Sequence, residues 1–389
     1  MSSDRISAYI SNVNIMSKST AQEDLHRLVS LKIFVENTYK ISVDMLMEQI
    51  KQGSIDAYDI LGRYGAYLKS TNNISNLTLK QRVVTVKNFL EYHDVDISPR
   101  KFKLKVKLPK VVRRNKEALT KEEIVNILNM CSDIRLKTYV MLLAATGMRA
   151  VEALSIRIKD LDFQSYPPRL FVRGEFTKTR SDRKMFMTTE VGYQLSSWLD
   201  YKYRSRRVCY SDNSGKTITE YRIPKKSEAD LIFSVYQSII PDNLYTDLCS
   251  SFAKTLDRMG KGAREEGNEK RREITFHSFR RFVKTTISDL GYQDYSEYFI
   301  GHSGSTYWTK KESEKVEIFR KIEPYLTFLN LPQLERKGAD IQSKVDELEE
   351  LNHSLLERDR TKDDAIAQLS DQLMTLTVRL HEIERKQRV

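Results

Sequence analysis

Hydrophobic residues recur at helical spacing through most of the first hundred positions of the chain. The pattern is clearest in residues 19–39, 54–69 and 78–93, which are separated by polar loops such as the one that begins at Ser70. Apolar residues three and four positions apart line one face of a helix, and that face can be buried against other helices. Residues 1–99 are therefore predicted to form a helical domain.

A second pattern begins near Leu119 and combines helices with two short strands. Thr120 and Glu123 have the capping-box spacing, which predicts a helix at 121–131, and helices at 134–145 and 150–158 follow. Residues 169–174 and 184–188 alternate apolar and polar side chains, which predicts a β-hairpin. Two polar insertions, 201–226 and 261–272, have no assignable conformation. Residues 119–332 are thus predicted to be an α+β domain, mainly α with a small hairpin or sheet.

Residues 336–389 follow an unbroken seven-residue repeat. Two positions of each repeat form the seam of a coiled coil, and most residues at these two positions are apolar. This repeat predicts a C-terminal coiled-coil helix. Asp359 and Lys362 interrupt the seam, and Asn352 occupies a position where a buried polar residue fixes register. The segment has 10 basic and 12 acidic residues, so it is expected to contact protein, either by self-association or by folding back on the body.

Charge narrows the choice of partner. The 389 residues carry 65 basic against 53 acidic side chains, a net charge of +12, which favours nucleic acid or an acidic membrane surface. Residues 100–116 contain nine basic residues and no acidic one, so 100–118 is predicted to be a basic linker, either a solvated edge strand, a flexible segment or a phosphate-tracking clamp. The DNA-binding candidates in it are Lys101, Lys103, Lys105, Lys107, Lys110, Arg113 and Arg114.

Composition also excludes several classes of protein. Only three cysteines occur, without metal-type spacing, so we expect no disulfide framework and no Cys-rich zinc site. No run approaches the roughly 18 apolar residues of a membrane span, and the N-terminus lacks the apolar core of a signal peptide. We therefore expect a soluble, cytoplasmic protein with no membrane partner.

Polar residues that could act on an anionic substrate cluster at three places in the second domain. Arg149 follows a glycine turn at the start of a predicted helix, where free backbone N–H groups also favour an anion. His277 and Arg280 are three residues apart, hence on one helical face, and His302 and Tyr307 share a Gly/Ser-rich turn. Each motif alone is common, and the order and spacing of the three together are rare.

This set resembles the tyrosine recombinase (phage integrase) family, and most of all the integrases of archaea and their viruses. The resemblance rests on ATGMRAVEALSI, on His-x-x-Arg and on IGHSGSTY. It covers the predicted α+β domain well, covers the helical domain and linker in general layout, and does not extend to the coiled coil. It implies a helical DNA-binding domain at 1–99, a catalytic domain at 119–332, and the integrase of an archaeal mobile element.

The resemblance also implies a chemistry. Family members attack a DNA phosphodiester with a tyrosine, form a 3′-phosphotyrosyl link and need no metal or other cofactor. Arg149 and Arg280 match the two arginines that hold the phosphate. Lys178 matches the hairpin lysine that protonates the leaving oxygen, with Lys184 as the alternative acid. Nearby phosphate contacts are Arg180, Arg183 and Lys184.

The remaining roles follow from the same resemblance. His277 matches the general base, His302 matches the histidine that hydrogen-bonds the phosphate, and Glu152 matches an acidic residue that supports the site. Tyr307 is the first choice for the nucleophile, although it follows His302 more closely than is usual in the family. Tyr325 is the alternative, in a stretch whose apolar character favours packing.

The leading hypothesis is therefore a site-specific recombinase that acts on an attachment site in double-stranded DNA as a synapsed homo-oligomer, a tetramer by the family's example. Two other functions stay open. A type IB topoisomerase-like enzyme would use the same residues without strand exchange, and an architectural DNA-binding protein would keep the fold without forming a covalent adduct.

Overall fold

A computed structural model describes residues 4–71, 74–111, 116–178, 180–211, 217–235, 240–265, 268–302 and 310–329, and in the tail residues 354, 362, 366, 369, 370 and 373. The chain divides into two compact units. The first comprises residues 1–117 together with 264–272, and the second comprises 118–263 and 273–389.

The first unit is helical. Its helices are α1 (Asp4–Met16), α2 (Lys18–Tyr39), α3 (Val43–Lys51), α4 (Ala57–Thr71), α5 (Asn76–Tyr92) and α6 (Pro99–Lys105). The three predicted helices are present as α2, α4 and α5, whereas α1 and α3 were not predicted. Ser17, Ser42 and Ser75 each accept a hydrogen bond from a backbone N–H of the helix that follows, which fixes where α2, α3 and α5 begin.

The basic linker contains a helix where an edge strand or a flexible segment was considered. Pro99 lies at the start of α6, where its missing N–H costs nothing. Phe102, Val106 and Leu108 pack against the apolar core of the first unit, and Val106 is buried. The apolar residues that alternate with the lysines therefore hold this part of the linker on the helical unit.

A buried polar group lies in the same core. Asp24 accepts hydrogen bonds from Arg27 Nη1 at 2.9 Å, Thr85 Oγ1 at 3.0 Å and Tyr9 Oη at 3.2 Å. Burial and the neighbouring Asp24 carboxylate raise the pKa of Tyr9 to about 12. The phenol therefore stays neutral and serves as a donor that ties α1 to α2.

The second unit is mainly helical with short antiparallel strands. In chain order its elements are α7 (Lys121–Met130), α8 (Ile134–Thr146), α9 (Ala150–Leu154), β1 (Leu161–Asp162), β2 (Arg169–Val172), β3 (Arg183–Phe186), α10 (Thr189–Lys202), β4 (Arg206–Ser211), β5 (Thr217–Arg222), α11 (Pro241–Arg258), α12 (Phe276–Asp289), α13 (Gln293–Ile300) and α14 (Glu312–Ile322). The predicted capping box is present at Thr120 and Glu123. All residues of α8 from Leu136 except Lys137 are buried, so α8 is central to the core.

The predicted hairpin is the β2–β3 pair, with Leu170 opposite Met185 and Phe171 opposite Lys184. The short strand β1 adds a third, antiparallel member. The helix predicted for 150–158 ends earlier, at Leu154. Its continuation is pulled out of helical geometry because the Ile156 carbonyl and the Ile158 N–H bond to the chain around Asp230.

The two insertions without a predicted conformation are both β-hairpins. Residues 201–226 contain β4 and β5, paired from Arg206–Arg222 to Ser211–Thr217. Residues 261–272 contain β6 (Arg264–Glu265) and β7 (Asn268–Arg272), which group with the first unit.

The predicted coiled coil lies outside the described residues except at six tail positions, all helical. Four of these are seam positions, Lys362, Ile366, Leu369 and Leu373, and the three apolar ones are 59–65% exposed. Among the described helices, none combines the length and the apolar character needed to cross a bilayer.

Candidate active site

The site is built around the turn between α8 and α9. Gly147 ends α8 in the left-handed conformation, with φ of 62°, and a β-carbon there would lie 3.1 Å from Val283 and Ile300 side-chain atoms. The turn places Arg149 at the N-cap of α9. Arg149 Nη1 donates to Glu152 Oε1 at 2.6 Å, and the Arg149 backbone N–H donates to Glu152 Oε2 at 3.2 Å.

Glu152 is a buried carboxylate shared by two arginines. Only 2% of its surface is exposed, and Arg183 Nη2 from β3 donates to Oε2 at 2.6 Å. Burial alone would raise the pKa of Glu152, but Arg183 and Arg149 outweigh it and hold that pKa below its usual value. Glu152 therefore stays ionised and fixes both guanidinium groups.

Arg280 completes the cluster from α12. It is 4% exposed, and its Nη1 donates to the Gly147 carbonyl at 2.8 Å. Burial, and then the charge of Arg149, lower the pKa of Arg280 to about 10, with Arg183 acting in the same direction. We call Arg149, Arg183 and Arg280 with Glu152 the arginine group.

Two donors of the arginine group are unused. Arg280 Nη2 and Arg183 Nη1 are buried, and neither has a hydrogen-bond partner among the residues that the structure describes. A buried N–H without an acceptor costs free energy, more when it is charged. An anion that brought oxygen atoms to these donors would remove that cost.

Gly301 brings the end of α13 against the arginine group. Its φ is 70°, its carbonyl accepts from Arg149 Nη2 at 3.4 Å, and a β-carbon on it would lie 2.7 Å from Arg183 Nη1. Only glycine therefore fits between the helix end and the Arg183 guanidinium.

The next residue, His302, is held by a carboxylate. His302 Nδ1 pairs with Glu297 Oε2, and Glu297 Oε1 pairs with Lys284 Nζ at 2.5 Å. Burial acts to raise the pKa of Glu297, but Lys284 and His302 leave that pKa below its usual value. Since an ionised carboxylate only accepts, the His302 Nδ1 carries the proton that it donates to Glu297.

The structure thus brings together Arg149, Glu152, Arg280 and the turn that carries His302, all of which the sequence analysis named. It also includes Glu297 and Lys284, which the sequence analysis did not name, and Arg183, which it named only as a nearby phosphate contact. Only 9% of the Arg183 side chain is exposed, and it pairs with Glu152.

Several predicted site residues are exposed, unlike the buried members of the arginine group. His277 is exposed at the start of α12 although Arg280, three residues on, is buried, so the two differ in environment more than a shared helical face suggests. Lys178 is exposed in the turn between β2 and β3, and Arg180 and Lys184 are exposed too. Among the described contacts, none joins Lys178 to the arginine group.

Of the two candidate nucleophiles, the structure describes only Tyr325. Tyr307 lies outside the described residues. Tyr325 lies in a 3₁₀ turn, Glu323–Leu326, and is 50% exposed, so the expectation that it packs into the core is wrong. That turn is fixed by Glu323, whose Oε1 accepts from the Thr189 N–H at 2.7 Å.

The predicted linker contacts are mostly free for a partner. Lys101, Lys103, Lys107 and Lys110 are exposed, whereas Lys105 forms an ion pair with Asp56 at 2.7 Å. Arg113 and Arg114 lie outside the described residues. No cluster of three or more metal-ligating side chains occurs among the residues that the structure describes.

Comparison with known proteins gives one family and a small set of relatives. Residues 117–305 match the phage integrase family. Tyrosine recombinase XerA of Saccharolobus solfataricus is 30% identical over 127 residues, 33% of this chain and 40% of that protein. Tyrosine recombinase XerA of Pyrococcus horikoshii is 25% identical over 194 residues, 50% of this chain and 62% of that protein. The chain thus spans less than two thirds of either relative.

Solved structures are similar at a lower level. A lambda integrase tetramer bound to a Holliday junction has a TM-score of 0.49 at 13% identity, with 79% of each chain covered. XerH site-specific recombinase bound to its difH substrate has a TM-score of 0.47 at 14% identity, covering 87% of this chain and 84% of that one.

Proposed function

We propose, from the match of residues 117–305 to the phage integrase family, that the protein is a site-specific DNA recombinase. It cleaves and rejoins strands of an attachment-site duplex through a 3′-phosphotyrosyl intermediate, with Tyr307 as nucleophile and without a metal. The observation that carries this proposal is the arginine group with its two unused buried donors.

The charge of the arginine group fits a reacting phosphodiester. Three guanidinium groups lie around one carboxylate, which leaves two positive charges in a largely buried site. A phosphodiester has one negative charge and gains a second as the tyrosine oxygen adds to phosphorus. Fixed cations in a water-poor site stabilise that added charge without reorganising, and loss of one such donor costs about 10²–10³ in rate.

Proton transfers would use the residues around this group. The Glu297 carboxylate would hold the His302 ring through Nδ1 and so orient the ring for contact with the phosphate. His277 would take the proton of the nucleophile, and Lys178, or Lys184 in its place, would protonate the leaving 5′ oxygen. The side chains of His277, Lys178 and Lys184 are all exposed.

The oligomeric state, further DNA contacts and cellular location are proposed from other parts of the sequence and from the relatives. We infer a homo-oligomer, a tetramer on synapsed DNA, with self-association through the coiled coil at 336–389. The exposed lysines of the linker would contribute phosphate contacts, so affinity should fall steeply with salt. An archaeal mobile element and a cytoplasmic location fit the two archaeal relatives.

The test is covalent trapping on a nicked attachment-site duplex. Wild-type protein should give a denaturation-resistant protein–DNA band, Tyr307→Phe should give none, and Tyr325→Phe should behave as wild type. Arg280→Lys should slow trapping by about 10²-fold, because a lysine cannot replace the planar fork of donors.

Other outcomes assign a different function. Loss of the band with Tyr325→Phe alone would move the nucleophile to Tyr325. Cleavage and resealing without transfer to a second duplex would indicate a type IB topoisomerase-like enzyme. Specific binding without any band from wild type would indicate an architectural DNA-binding protein.

A further inference from the structure

The segment 201–226, which contains β4 and β5, is strongly basic. It has eight basic and two acidic residues, a net charge of +6 in 26 positions. That is half of the net charge of +12 carried by all 389 residues. We call residues 206–211 and 217–226, which comprise β4, β5 and the residues directly after β5, the basic ribbon.

Folding of the second unit does not account for the basic ribbon. None of its described residues belongs to the apolar core of that unit. Tyr221 is 74% exposed, and Ile223, directly after β5, is 73% exposed. A two-stranded ribbon on its own is marginally stable in water, so one that exposes an aromatic and an apolar side chain beside its anchored end is a surface suited to a partner.

The base of the basic ribbon is firmly anchored. The buried Lys202 ammonium donates to the Leu231 carbonyl at 2.6 Å and to Ser234 Oγ at 3.1 Å. Arg206 Nη2 donates to the Lys202 carbonyl at 2.7 Å, which ties the first residue of β4 to the end of α10. The ribbon therefore starts from a fixed point while its strands remain exposed.

The cations of this segment fall into two kinds. Some are engaged within the protein: Arg222 pairs with Glu220 and lies 5.1 Å from the centre of the Tyr210 ring. Others, Arg207, Lys225 and Lys226, are exposed and have no hydrogen-bond or ion-pair partner among the described residues. In the strand register Arg207 lies opposite Tyr221, so a free guanidinium and an exposed aromatic ring share one face of the ribbon.

We propose that the basic ribbon is a second DNA-contacting surface, distinct from the arginine group, that binds the backbone and groove of duplex DNA. The major groove admits a two-stranded β-ribbon as well as an α-helix. The charge excess fits a polyanion, and Arg207, Lys225 and Lys226 supply the phosphate contacts. The inference rests on the proposed function in one respect, that duplex DNA is the partner.

The experiment compares two triple variants of the full chain in DNA binding at several salt concentrations. One is Arg207→Ala with Lys225→Ala and Lys226→Ala. The matched control removes the same charge from exposed basic residues elsewhere in the second unit: Lys159→Ala, Lys254→Ala and Arg258→Ala.

The ribbon variant should lower the slope of log Kd against log salt by about 0.9 for each DNA phosphate that the protein no longer neutralises, and weaken binding by roughly ten-fold per phosphate near 0.1 M salt. The control should keep the wild-type slope to within measurement error. A photoreactive amino acid at Tyr221 should cross-link to DNA in the otherwise unchanged protein.

Three results would overturn the ribbon proposal: equal slopes for the two triple variants, no cross-link from position 221, or an unchanged slope with loss of self-association in light scattering, which would make the ribbon a protein contact. Covalent trapping is measured in parallel at saturating protein. If wild type fails to trap, the proposed function is wrong, while the comparison of slopes still decides whether the ribbon binds DNA.

Discussion

Replacing Glu152 by glutamine is the sharpest test of how the arginine group is held. The change keeps the shape of the side chain and removes its charge. Glu152 now accepts at 2.6 Å from both Arg149 and Arg183, whereas a glutamine has one carbonyl oxygen and must turn its NH₂ group towards one of these donors. Arg149 and Arg183 then lose the carboxylate that pairs with both of them.

Glu152→Gln should lower the stability of the second unit strongly, because the ion pairs of Glu152 are buried. Removing one partner of a buried ion pair typically costs about 3–5 kcal/mol. For a unit of this size, each kcal/mol lowers Tm by roughly 2–4 °C, so Tm should fall by roughly 6–20 °C. Both tryptophans, Trp198 and Trp308, occur in the sequence of the second unit, so tryptophan fluorescence during urea unfolding follows this unit.

Glu190→Gln is the matched control. Glu190 is equally buried at 2% and accepts from the backbone N–H groups of Phe328 and Leu329, but no cation pairs with it among the described residues, and burial raises its pKa. Glu190→Gln should lower the free energy of unfolding by about 1–3 kcal/mol, because one backbone N–H loses its acceptor.

The difference in stability between wild type and variant should change with pH in opposite directions for Glu152→Gln and Glu190→Gln. The pKa of Glu152 is lowered in the folded state, so its contribution is present above the ordinary value of 4.5 and is lost as the pH falls below it. The gap between wild type and Glu152→Gln should therefore narrow in acid. The pKa of Glu190 is raised in the folded state, so wild type gains stability as the pH falls and Glu190 takes up a proton. The difference in stability between wild type and Glu190→Gln should therefore widen in acid. Equal stability of Glu152→Gln and wild type at neutral pH, or gaps that change in the same direction, would refute this reasoning.

Three further changes test other contacts. Gly301→Ala places a β-carbon 2.7 Å from Arg183 Nη1 at a positive φ, and should destabilise the second unit by about 1–3 kcal/mol in urea titration; an unchanged midpoint would contradict the close approach. Glu297→Ala removes the acceptor of the His302 Nδ1 proton, and should slow covalent trapping by about 10²-fold at unchanged fluorescence-monitored stability; wild-type trapping would show that His302 needs no orientation. Asp24→Asn should destabilise the helical unit by about 3 kcal/mol in circular dichroism while tryptophan fluorescence is unaffected, and a shift seen by both probes would count against independent units.

The sequence predicts those parts of the fold whose signals are local. The helix at α7 has its capping box and apolar spacing within a dozen residues, and the β2–β3 hairpin has its alternation. By contrast β4 and β5 are strands of mostly polar residues that are held by pairing with each other instead of by burial. Hydrophobic periodicity, which reports burial, has nothing to detect there.

The contacts in the site also include some that sequence spacing predicts and others that depend on the fold. Arg149 and Glu152 are three residues apart on one helix, so their pairing follows from spacing. Arg183 is 31 residues from Glu152, and their contact depends on how β3 packs beside α9. The pairing of Glu297 with His302 depends on the left-handed turn at Gly301, which reverses the chain after α13. Neither contact has a signature in the sequence.

The unused donors of the arginine group set stability and activity against each other. Without an anion, the folded second unit holds positive charges that repel one another and that burial has partly stripped of water. Any substitution that neutralises Arg280 with a side chain of similar volume relieves that repulsion, so drift towards a more stable protein leads away from an active one. The same reasoning makes polyanions conformational stabilisers of this unit, because a ligand that binds only the folded state raises its stability in proportion to the logarithm of its concentration once binding is saturated.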